Sequence, residues 1–183
     1  MAPTLSLGSR GPSVRTLERR LTELPFALKG ADGLYAGDTY EAILAFQKLN
    51  GLARTGRVDA ALWRRLRAAS VPMPRYAGGT HIEVDKRRQL LFEVAGGRVT
   101  RIVHVSTGAT GNTPLGRWSV YRKVGGWDWV LWYPMYFRGG FAIHGYPVRP
   151  GLPASHGCVR IPMWIAASLY SRHGYGTSVY VYN

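Results

Sequence analysis

The sequence predicts an α+β protein of two domains: a three-helix module over residues 1–70, a linker over 71–79, and a mainly β domain over 80–183, a sandwich or curled barrel-like sheet with one C-terminal helix. Three observations carry that prediction. Apolar residues between positions 10 and 69 recur at spacings of three and four, the period of one helix face. Val71 to Gly79 then holds two prolines and a Gly-Gly pair, which oppose helix and ladder pairing alike and mark the boundary. Beyond it, apolar and polar residues alternate in short runs between tight turns, the period of half-buried strands.

In the first domain Pro12 and Ser13 open a helix whose inward face is Val14, Leu17, Leu21 and Leu24. A turn-rich stretch follows, Leu28 to Asp38. Asp38 or Thr39 caps a second helix, with Ile43, Phe46 and Leu49 or its neighbours inward and Asn50-Gly51 as its end. Asp59 caps a third, which turns Leu62, Trp63 and Leu66 inward. Packing alone is sufficient reason for those side chains.

In the second domain His81 to Asp85, Gln89 to Val94 and Arg98 to Val105 read as strands, Gly96-Gly97 making the second turn. Trp118 to Val124, Val130 to Phe137 and Phe141 to His144 continue the pattern, and Ser178 to Tyr182 closes it. Pro162 opens a helix, Met163 to His173, ended by Gly174. Gly125 to Phe141 is unusually aromatic, with Trp127, Trp129, Trp132, Tyr133, Tyr136 and Phe137 between two Gly pairs. These rings serve as strand core, as the wall or lid of a substrate cleft, or as both.

Composition narrows the function classes. With 183 residues, 46% hydrophobic and 19% charged, the chain is globular and long enough to bury a real core. No run of eighteen apolar residues is present, and the first residues do not form a signal peptide, so a membrane span is not expected. The net charge of +14 is spread over both domains, +5 on residues 1–70 and +9 on residues 71–183. Such a field favours polyanions. The densest clusters, Lys86 to Arg88 and Arg64-Arg65 with Arg67, read as a turn and a solvated helix face, so adhesion to an anionic polymer is expected rather than a nucleic-acid groove.

The residues that carry chemistry lie in FAIHGYP, Phe141 to Pro147, and SHGCVRI, Ser155 to Ile161. Cys158 is the only cysteine, with His156 two positions earlier and His144 fourteen positions earlier. A thiol with a pKa near 8.5 is mostly protonated at pH 7, so a nucleophilic cysteine needs an imidazole beside it. A lone cysteine is most often a small buried hydrophobe, which is the competing reading. His144 ends an apolar run on what reads as a neighbouring strand, about 5 Å away, and from there it can point at the sulfur. His156 is placed to shape the turn. Gly157 permits the close approach that would let the N–H groups of Gly157 and Cys158 aim at an oxyanion. No CxxC pair or nearby carboxylate calls for a metal.

The Ser155-His-Gly-Cys-Val-Arg run preceded by Ile143-His-Gly resembles the signature of the L,D-transpeptidase (YkuD-type) catalytic domain, and Thr107-Gly108 with Thr113, Pro114 and Gly116 resembles that family's upstream segment. The resemblance implies Cys158 as nucleophile, His144 as general base, the Gly145 carbonyl as the group that orients it, and the backbone of His156, Gly157 and Cys158 as oxyanion hole. Two departures stand out: the spacer from His144 to Ser155 is ten residues, as for a trimmed active-site loop, and Arg160 stands where the family pattern has asparagine. In the first domain Gly33, Tyr35, Thr39, Ala42, Phe46-Gln47, Gly51-Leu52, Thr55-Gly56 and Leu62-Trp63 resemble the peptidoglycan-binding domain 1 family.

These resemblances imply a cysteine-dependent enzyme that forms cross-links between the third residues of peptidoglycan stem peptides through a thioester. A stem-peptide hydrolase (L,D-carboxypeptidase) and a non-catalytic wall-binding protein are the alternatives. Ser155, Arg160, Trp132, Tyr133 and Tyr136 are the expected substrate-binding residues, Arg160 because a guanidinium holds carboxylates bidentately. No cofactor is called for. The expected partners are stem peptides and glycan, with anionic wall polymers and without nucleic acid, and the expected setting is a monomer secreted to the periplasm or cell wall.

Overall fold

The computed structural model describes residues 3–147 and 152–183. Its first part holds α1 (Pro12–Glu23), α2 (Gly37–Leu49) and α3 (Ala60–Ala68). Proline in the first turn of α1 and the Asp59 side chain, which accepts the Leu62 N–H at 2.7 Å, start two of these helices as expected. The start of α2 differs. Its N-cap is Ala36, so Asp38 and Thr39 lie inside the first turn, where Asp38 accepts the Lys29 N–H and Thr39 donates to the buried Glu18 carboxylate. Those outside partners outcompete the local capping bonds.

The inward residues of α1 and α3 are buried as their spacing implies, whereas α2 is buried without a break from Ala42 to Lys48. The reason is its position. Helix α2 lies between the other two helices and the first sheet of the second domain, so one apolar cluster runs from Val14, Leu17 and Phe46 through to Phe92, Val94 and Ile102. The chain after α1 also bonds to the sheet edge, with Ala27 N–H on Ile102 O (2.9 Å) and Ile102 N–H on Pro25 O (2.8 Å).

The second domain is two packed sheets. The first contains β1 (His81–Asp85), β2 (Leu90–Ala95), β3 (Arg98–His104) and β4 (Gly116–Ser119); the second contains β5 (Arg122–Lys123), β6 (Trp127–Asp128), β7 (Leu131–Arg138), β8 (Phe141–Gly145) and β9 (Val159–Ile161). Helix α4 (Met163–Arg172) follows, and β10 (Ser178–Tyr182) returns to the first sheet between β1 and β4, parallel to β1. The strand expected from Trp118 to Val124 is thus two. At buried Val120 the chain crosses between sheets: its N–H bonds Thr177 O (2.9 Å), and the next N–H, of Tyr121, bonds Tyr136 O (3.0 Å) in the other sheet. Ile82, Val84, Val179 and Val181 of one sheet meet Met135, Ile143, Val159 and Ile161 of the other, with Ile165, Ala166 and Leu169 of α4 closing the side.

Residues 71–79 contain no helix or strand. They are nonetheless held down: Arg75 and Tyr76 N–H donate to the buried Glu83 carboxylate at 3.0 and 2.8 Å, and the Tyr76 ring stacks on Tyr180 at 4.2 Å. Among the described residues no helix is long and apolar enough to cross a membrane.

Candidate active site

Strands β8 and β9 run parallel, with Ile143 opposite Val159 and His144 opposite Arg160. One row earlier, that register sets Ala142 beside Cys158. Ile143, Val159 and Ile161 enter the sandwich core. Alternation therefore puts Ala142, His144, Cys158 and Arg160 on the other face, with His144 and Cys158 diagonal neighbours on adjacent strands. Strand β7 adds Tyr136, paired with Ala142, to the row of Cys158.

His144 is 2% exposed, and its Nδ1 lies 2.9 Å from Gly145 O. A carbonyl only accepts, so Nδ1 carries the hydrogen and Nε2 keeps its lone pair. Glycine is needed at 145, since a Cβ there would stand 2.9 Å from both Ala166 Cβ and Trp132 Cδ1. Burial pushes the His144 imidazole down to about 4, aided by the Arg160 charge and opposed by the Gly145 bond. Burial pushes the half-buried Cys158 thiol up, against a backbone hydrogen bond from Ala142 and the Arg160 charge. Both shifts favour the uncharged forms. Thiol and neutral imidazole are thus favoured over a preformed ion pair.

Hydrogen bonds build the turn before Cys158. Ser155 Oγ donates to Cys158 O (2.5 Å) and accepts the Gly157 N–H (2.9 Å). Thr113 Oγ1 donates to Gly157 O at 2.7 Å, and Asn112 Nδ2 donates to His156 O at 2.8 Å. Lys86 in turn holds the carbonyls of Gly111 and Thr113, at 2.7 and 2.8 Å. Ser106 and Arg160 exchange backbone bonds in both directions, while Thr107 O accepts from Ala154 and Ser155. Gly157 has φ +132, and a side chain there would collide with the Phe141 ring.

Ser155 is buried, with its hydroxyl engaged inside the turn. The Gly157 N–H, one of the expected oxyanion donors, donates to Ser155 Oγ in this structure. Trp132 fills the space against Gly145 on the face away from Cys158, and Tyr133, at φ 49, packs edge-to-face between Trp132 and Tyr170 of α4 at 4.7 and 5.2 Å. Both rings are partly exposed and lie at a register shift in β7. Tyr136 stays beside the sulfur. Its hydroxyl donates to Asp128 (2.7 Å), and burial together with the Asp128 carboxylate pushes the phenol up to about 12.

Arg160 is partly engaged within the fold: it donates to Ala154 O at 3.2 Å and stacks over Tyr146 at 4.0 Å. The His156 side chain is exposed on the turn. The trimmed loop expected between His144 and Ser155 falls partly on residues 148–151, outside the described residues. Sequence reasoning passed over Asn112, Lys86 and Asp128. Asn112 precedes the Thr113-Pro114 pair, which was a signal within reach, whereas Lys86 read as one more solvated base. Among the described residues, no three His, Cys, Asp or Glu side chains converge as metal ligands.

Residues 79–181, more than half of the chain, match the YkuD L,D-transpeptidase catalytic domain. The chain belongs to the L,D-transpeptidase family. Residues 10–66 match a peptidoglycan binding domain. An L,D-transpeptidase from Xylanimonas cellulosilytica is 37% identical over 100% of this chain and 99% of its own, with a TM-score of 0.95. One from Stackebrandtia nassauensis is 26% identical over 98% and 95%, with a TM-score of 0.57. The Ldtfm–avibactam carbamoyl enzyme is 25% identical, covering 58% of this chain and 50% of that one at a TM-score of 0.53. Among curated proteins, none matches the chain. As an L,D-transpeptidase family member with a peptidoglycan-binding domain, the protein has peptidoglycan as its substrate polymer, and its setting is the cell wall or periplasm.

Proposed function

We propose that the protein is a cysteine-dependent L,D-transpeptidase that joins the third residues of neighbouring stem peptides through a thioester on Cys158. Residues 1–70 hold the wall, 71–79 connect, and 80–183 carry the chemistry. The observation that carries the reading is the shared face of His144 and Cys158, with the Gly145 carbonyl fixing the hydrogen on Nδ1.

In the first half-reaction His144 Nε2 takes the thiol proton as Sγ attacks the carbonyl of the third stem residue. The Cys158 N–H faces the developing oxyanion, the carbon–nitrogen bond to the terminal D-alanine breaks, and the imidazolium returns the proton to the departing amine. In the second, the side-chain amine of another stem attacks the thioester. His144 takes the proton from that amine and passes it to the departing sulfur, so the thiol and neutral imidazole are restored and one amide has replaced another. The carbamoyl adduct that gives the 25%-identical relative its description is an acyl group of the kind this site would carry.

Incubation with a soluble tetrapeptide stem, read by mass, tests the reading. Transfer gives released D-alanine and a linked dimer of stems; tripeptide alone would make the enzyme a hydrolase, and unchanged stem would remove the catalytic reading.

A further inference from the structure

Lys48, near the end of α2, is 3% exposed and reaches out of the helical module into the β domain. Its Nζ lies 3.0 Å from Gln89 O, 3.1 Å from Val105 O and 2.8 Å from His104 Nδ1. All three acceptors flank one stretch, Val105 to Ala109, and that stretch is the template of the catalytic turn. Val105 N–H bonds Gln89 O, and the Gln89 side chain then holds Thr107 twice, donating to its Oγ1 (2.7 Å) and accepting its N–H (2.8 Å). From there Thr107 O accepts from Ala154 and Ser155, Ala109 N–H bonds Ser155 O, and Gly108 N–H bonds the Thr113 hydroxyl that holds Gly157 O.

We propose that Lys48 is a positioning residue for the catalytic turn, so that the wall-binding module is a working part of the catalytic unit rather than an anchor joined to it. The inference rests on Cys158 being the nucleophile. Stability is a poor explanation for this lysine. Burial, with Arg54 adding to it, lowers its ammonium to about 6, so folding at neutral pH expels a proton that the unfolded chain keeps. An apolar side chain of similar length would avoid that cost; what it could not do is fix two carbonyls and a ring nitrogen in one geometry. The His104 nitrogen accepts from an ammonium or donates to an amine, so the contact survives in either state.

The test compares two reactions of Cys158 in the full chain. A carbapenem must be opened through an oxyanion and reads the turn's geometry, whereas iodoacetamide alkylates sulfur without one. Lys48→Met is expected to slow carbapenem acylation by roughly 10- to 100-fold while alkylation stays within about 2-fold. Leu66→Ala, in the module core and away from this network, is expected to lower the melting temperature more than Lys48→Met does and to leave both rates of the folded protein unchanged. Thr107→Ala cuts the network one link nearer the turn and should repeat the Lys48→Met pattern, with Thr107→Ser restoring the wild-type ratio. Wild-type acylation in folded Lys48→Met, or in Thr107→Ala if the first variant does not fold, overturns the proposal, as does equal slowing by Leu66→Ala. Failure of the wild-type protein to take up carbapenem on Cys158 would instead overturn the nucleophile assignment on which the inference stands.

Discussion

Apart from Lys48, the seam between the helical module and the first sheet is built chiefly from apolar side chains, whereas the turn that carries Cys158 is held chiefly by hydrogen bonds from Thr107, Asn112, Thr113 and Ser155. Apolar contact is non-directional and tolerates small shifts. A hydrogen bond to a particular carbonyl does not. Damage to the apolar side chains of the seam should therefore appear as lost stability with chemistry intact, and damage to the turn, or to Lys48 that reaches toward it across the seam, as lost chemistry with the fold intact.

Cys158→Ala sets the largest contrast on the turn side. It removes the nucleophile and little volume, so acylation by a carbapenem should disappear from the mass spectrum while circular dichroism is unchanged. His144→Ala comes next, with acylation expected to slow by roughly 10² to 10⁴, the usual worth of a general base. His156→Ala should slow it far less, and an equal loss in both variants would mean the base is wrongly assigned. Thr113→Val leaves Gly157 O and Gly108 N–H without their partner, which costs about 1–3 kcal/mol per buried group, and a 10-fold slower acylation is expected from rapid-quench kinetics.

A further expectation concerns pH. With His144 lowered to about 4, acylation should stay level as pH falls from 7 to 5 and drop only near 4, where an ordinary imidazole would lose it near 6.5. Between those two values the unfolded chain binds a proton that the folded one refuses. Stability from this group is therefore full above 6.5 and fades as pH falls toward 4, which melting curves in that range can follow. On the seam, Leu66→Ala should lower unfolding free energy by about 2–5 kcal/mol and leave acylation of the folded protein unchanged.

The same contrast explains what could be read from the chain alone. The faces of α1 and α3 follow from periodicity, and the neighbourhood of Cys158 and His144 follows from two short apolar strands, because both are local patterns. Helix α2 is packed on every side, so its spacing of apolar residues does not reveal where it starts or that Lys48 leaves it for the β domain. The crossing at Val120 hides inside one continuous strand-like stretch, Trp118 to Val124, since either sheet would accept those residues. Trp132 and Tyr133 read as strand core, cleft wall or both, and the register shift in β7 that sets Tyr133 against Tyr170 of α4 has no local sequence signal. The bonds of Asn112 and Thr113 to the turn join residues 44 positions apart, a distance at which composition carries no signal.

Intact-protein mass spectrometry after incubation with a carbapenem tests the central claim most directly, because the strained amide needs the thiol, its base and the oxyanion donor together. The account expects a single adduct, located on Cys158 by peptide mapping, formed slowly in His144→Ala and absent from Cys158→Ala. An adduct that persists in Cys158→Ala, or none on wild-type protein whose Cys158 is shown to be reduced, would contradict it.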